Sequence, residues 1–153
     1  LVKTPLIHNG DNLHIDPGGL LEISGGVHAL YGRIYNYGTV RVIGNAATID
    51  LHQLPSGSGT YAFVLDADGV STLDYDSWVA TTNLTIDVDG SSYTGSDANI
   101  ILMDAAGGLL NTSTLVNVSG FDDEYIATVV QDMDLDEVRL TIDHITGSVF
   151  IVR

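Results

Sequence analysis

Cysteine is absent, and cations nearly so: Lys and Arg number 5 against 20 Asp and Glu, a formal net charge of −15. Without thiols there is no disulfide framework and no thiolate metal site, which leaves the compartment open. With so few basic residues the chain cannot neutralise a phosphate backbone, so nucleic acid and anionic membranes are poor partners. No apolar run approaches the roughly 18 residues of a membrane-spanning helix, and no membrane insertion is expected. The composition favours cations, neutral polysaccharide or copies of the same chain as partners. Glutamate is scarce as well, limited to Glu22, Glu124 and Glu137. The acidity therefore resides in Asp, which favours turns and disfavours helices. The opening LVKTPLIHNGDN has neither the charged start nor the apolar core of a signal peptide. The expectation is an exported chain, extracellular or at the cell surface, whose leader is missing from this sequence, or a fragment.

What is there points to strands. The 153 residues are 44% hydrophobic and include 17 Gly, enough for a buried core in one domain, residues 1–153. Residues 12–51 read as short strands, NLHI, LLEIS, VHALYGRIY, TVRVI and TIDL, broken by DPGG, SGG, NYG and GNAA. Strand starts this close leave no room for helices between them, and the pattern is a strand–turn repeat. Residues 52–60 form a Pro/Gly/Ser loop, and strand-like patterning resumes over 61–153. Leu84, Ile86 and Val88 alternate with Thr85, Asp87 and Asp89, and Val138, Leu140 and Ile142 with polar residues. These are half-buried strands with one wet face. The fold class expected is all-β: a β-solenoid, or parallel β-helix, over the N-terminal half, with further strands in the C-terminal half that an antiparallel sandwich would accommodate.

LHIDPGGLLEISGG and GRIYNYGTVRVIGN resemble the β-solenoid repeats of secreted bacterial surface proteins, including autotransporter passenger regions. The shared pattern is a strand, then DPGG or N-x-G-T, then an alternating strand and a Gly. The segment TNLTIDVDGSSYTGSDANIILMDAAGGLLNTSTLVNVSGFDDEYIATVV is similar to the closing part of such proteins. The resemblance implies a non-enzymatic module exposed outside the cell.

Candidate chemistry lies in three places. In GRIYNYGTVRVIGN, Ile34, Val40 and Val42 share one parity, while Tyr31, Arg33, Tyr35, Tyr37 and Arg41 share the other. An outward row of Tyr and Arg offers stacking faces and planar donors to a sugar or a neighbouring subunit. Cross-strand packing of the tyrosines on one another is the equal alternative. Carboxylates spaced by two occur in DADG (Asp66, Asp68), DVDG (Asp87, Asp89) and QDMDLDE (Asp132, Asp134, Asp136), a spacing that in a loop converges oxygens on Ca2+. The EF-hand template fails from Asp132, because its sixth and twelfth positions hold Glu137 and Asp143. Turn-capping by these Asp is the plainer reading. Third, the terminal LVKTPLI and SVFIVR are apolar and strand-like, suited to self-association by strand addition.

No G-x-S-x-G elbow is present, and histidines 8, 14, 28, 52 and 144 are scattered singly. The expected function is therefore a non-catalytic structural or adhesive module, self-assembling into a layer or filament. A carbohydrate-binding module is the alternative, and an enzyme with a site assembled across rungs stands third.

Overall fold

The computed structural model describes residues 7–8, 12–52, 56–75, 84–105, 114–132 and 134–145. No described residue is helical, and none lies in a helix able to cross a membrane. The fold is a β-solenoid of about three turns with a mixed sheet in its C-terminal part.

The first full turn consists of β2 (Leu13–Ile15), β3 (Leu20–Ile23) and β4 (Gly26–Leu30), preceded by β1 (Ile7–His8). The second consists of β5 (Ile34–Asn36), β6 (Thr39–Ile43) and β7 (Ala47–Leu51). VHALYGRIY is thus two strands, with a corner at Tyr31–Arg33. Its inward–outward alternation continues through the bend, so the pattern gave no sign of the corner. In the third turn Ser56 bridges to Tyr35 in parallel, donating to the Ile34 carbonyl and accepting from Asn36 N–H. The expected loop therefore carries the third side of the solenoid, ahead of β8 (Thr60–Val64) and β9 (Leu73–Tyr75). β10 (Leu84–Asp89), β11 (Ala98–Ala105) and β12 (Thr114–Ser119) follow.

Stacking of equivalent strands builds the sheets. A five-stranded parallel sheet runs β12-β10-β8-β6-β3, and a seven-stranded sheet runs β1-β4-β7-β9-β11-β14-β13. The antiparallel part is the hairpin of β13 (Tyr125–Asp132) and β14 (Glu137–His144). It is not a separate sandwich: β14 pairs antiparallel with β11 and extends the same sheet. Asp134, Leu135 and Asp136 belong to its turn. The Asp132 carboxylate accepts from Asp134 and Leu135 N–H at 3.0 and 3.1 Å, and Asp136 adopts φ 56°. This is the Asx chemistry that reverses a chain tightly.

The core is a set of ladders, one residue per rung. Val40, Tyr61 and Ile86 align, as do Val42, Phe63 and Val88, and on the opposite sheet Ile49, Leu73 and Met103. All nine are at most 2% exposed, so water is excluded along the axis. Burying a side chain of this kind contributes about 1.5–3 kcal/mol. Asn36 is the polar exception inside: its amide donates to the Thr60 carbonyl and its Oδ1 accepts from Gly38 N–H, each at 3.1 Å. The buried Asn thus ties one rung to the next. Tyr61 and Tyr75 are also buried to within 1%; the Tyr61 hydroxyl faces the Asn36 side chain and the Tyr75 hydroxyl, but neither phenol makes a well-formed hydrogen bond among the described residues.

Candidate functional site on the outer faces

Because rungs repeat, outward side chains form rows across the sheets. The Tyr/Arg stripe does not form one patch. Tyr31 sits in the corner after β4 and Tyr37 in the corner before β6, both exposed. Tyr35 points outward from β5, Arg33 is exposed at the corner, and Arg41 lies on the five-stranded sheet. The rings stack between rungs: Tyr35 on His14 at 4.6 Å and 10°, Tyr31 on His52 at 4.4 Å and 24°. Each stack covers one face of each ring, the face a sugar would use, and contributes about 0.5–1.5 kcal/mol between rungs. Arg41 pairs with Glu22 at 3.3 Å across β6 and β3.

The Asp motifs are engaged in backbone turns. Asp66 accepts from Asn45 N–H through Oδ2 and from Asp68 and Gly69 N–H through Oδ1, each at 3.0 Å. Asp89 accepts from Ser91 N–H at 2.9 Å, and Asp87 from the Asn117 amide at 2.7 Å. Among the described residues no group of three or more His or carboxylate side chains is disposed to hold a metal ion.

Two features escape sequence inspection. The first is an acidic row on the seven-stranded sheet, where Asp50, Asp74, Asp104, Glu137 and Asp132 stand in register on five adjacent strands. Its signal was an Asp between apolar residues once per rung, in IDL, LDY and MDA. Glu137 has a cation next to it, Arg139. Like charges directly opposite destabilise a sheet. Asp104→Asn, between Asp74 and Glu137, is therefore expected to raise stability by about 1 kcal/mol in low-salt urea denaturation, with the gain shrinking at high salt. A loss would mean that the carboxylate is anchored by something stronger than the repulsion.

The second is a groove of about 630 Å³ on the five-stranded sheet, lined by Arg41, Ile43, Ala62, Val64, Asp87 and Asn117 among others. It arises because the row Glu22, Arg41, Ala62, Asp87, Asn117 has a small residue at its centre. Comparison with protein-family models, curated proteins and solved structures gave no match. The reading of function therefore rests on the faces themselves.

Proposed function

We propose that the chain is a non-catalytic structural or adhesive module acting outside the cell, of the secreted bacterial surface type its repeats resemble. The observation that carries this reading is the register of the outer faces. Chemistry is repeated from rung to rung, as in the row Thr39, Thr60, Thr85 and the row Asp50, Asp74, Asp104. Such rows suit an extended surface better than a single reacting atom. The charge of −15 fits a protein that acts on uncharged surfaces. In this reading calcium serves as a counter-ion along the acidic row. Self-association uses the C-terminal end, where β12 and β13 are, among the described residues, the last strands of their sheets and carry exposed Leu115, Ile126 and Val130. The terminal segments 1–6 and 146–153 lie outside the described residues.

The test is retention of chain-coated beads on plates bearing insoluble polysaccharides or surface proteins, with reducing ends assayed in parallel. Saturable retention without release of sugar is expected. Release of reducing ends would overturn the non-catalytic part, and absence of retention on every plate the adhesive part.

A further inference from the structure

We infer that the groove over Ala62 is a binding site for a neutral polysaccharide segment, which deepens the adhesive reading and rests on it. The sheet register builds the groove. Arg41 and Asp87 flank Ala62 on the neighbouring strands, and two strand spacings set their backbones about 10 Å apart. Both flanking side chains have partners on the side away from Ala62. Arg41 pairs with Glu22 at 3.3 Å, and Asp87 accepts from Asn117 at 2.7 Å. The next row along the strands is Ile43, Val64, Asp89 and Ser119, which adds apolar floor and a second carboxylate.

The result is a concave strip with an apolar floor and unlike banks: guanidinium donors on one side, carboxylate and amide groups on the other. A sugar ring has this amphipathic form, with C–H faces for the floor and hydroxyls that both donate and accept at the rim. Pockets of 300–1,000 Å³ with a few convergent polar groups are the usual size for small ligands, and this one is about 630 Å³.

Charge selects against anionic occupants. Asp87 and Asp89 on one bank repel a polyanion. Arg41 on the other bank is already matched by Glu22 and offers an anion no free charge. An uncharged polyol therefore enters without leaving a buried charge unpaired. An extended peptide is disfavoured because β8 is hydrogen-bonded on both sides, to β6 and β10, and has no free edge to augment.

The experiment is calorimetric titration of the full chain with a panel of neutral hexasaccharides: β-1,4-glucan, β-1,3-glucan, α-1,4-glucan, xylan and mannan. Hexagalacturonate is the anionic control. Saturable binding of at least one neutral member is expected, with hexagalacturonate inert. Ala62→Trp, which fills the groove from an outward position, should weaken that binding at least tenfold with an unchanged melting temperature. Should Ala62→Trp fail to fold, Asn117→Ala, which removes an amide from the bank, should weaken binding severalfold. Failure of every neutral member to bind, equal binding of hexagalacturonate, or wild-type affinity in the folded variants would each overturn the site. Bead retention that persists without oligosaccharide binding would remove this groove and leave the adhesive reading standing.

Discussion

Raising the pH past about 10, the ordinary tyrosine value, is expected to unfold the protein steeply. Burial pushes the Tyr61 and Tyr75 phenols well above that value, and for Tyr75 the neighbouring Tyr61 adds to the shift. Below pH about 10 both residues are protonated in the folded and unfolded chain, and their contribution is fully present. Above it the unfolded chain loses protons that the fold retains, so the unfolded state binds fewer protons and stability falls with pH. The slope is about 1.4 kcal/mol per pH unit for each tyrosine, until the folded phenols themselves ionise. Two such residues withdraw nearly 3 kcal/mol per unit from a total that for domains is about 5–15 kcal/mol. Urea denaturation of Tyr61→Phe, Tyr75→Phe and the double variant at pH 8 and pH 11 checks this. At pH 8 the double variant should be as stable as the parent or about 1 kcal/mol more so, because it removes two poorly partnered hydroxyls together. At pH 11 it should be the more stable by several kcal/mol. An equal alkaline loss in the double variant would show that these phenols are not its cause.

Gly38→Ala is expected to cost about 3 kcal/mol or more, enough to prevent folding in a marginal background. Gly19, Gly38 and Gly59 occupy the same corner in successive turns. Gly19 O accepts from Thr39 N–H, and Gly38 O from Thr60 N–H, both at 2.9 Å. A Cβ on Gly38 would lie 2.4 Å from the Gly19 carbonyl oxygen and 2.6 Å from that of Asp16. Both obstacles are backbone, so relief requires moving a rung. Gly18 is the contrast: its φ is +81°, but a Cβ added there would meet nothing within 4 Å. Gly18→Ala should cost about 1–2 kcal/mol, from left-handed backbone strain alone. Similar losses in the two variants by chemical denaturation would show that the corner is not closely stacked.

Much of the fold was legible in the residues. Alternation in TVRVI and EVRLTID placed Val40, Val42, Val138, Leu140 and Ile142 inside, where they are at most 1% exposed. Short strands separated by Gly-rich turns implied a solenoid, and DPGG and GNAA are turns with Gly18 and Gly44 at positive φ. Less was legible at NYG, where Asn36 is buried in β5 as a bond between rungs. A buried Asn and a turn Asn look alike in sequence, because both use the amide to hold nearby backbone.

The sequence by itself determined which side of β6 and β14 faces inward, since alternation is local and one buried face enforces it; in β4 it did not, because Val27 is exposed and His28 is buried. It also determined the acidity and the turn chemistry of Asp. Only the tertiary structure decided what stands beside what. Asp74 lies between Asp50 and Asp104, and Ala62 between Arg41 and Asp87. Those neighbours lie one rung apart along the chain, and unequal rung lengths hide their alignment. Hydrogen bonds between strands set that register. A row of charges, a stack of rings or a groove exists only once the rungs have closed upon one another.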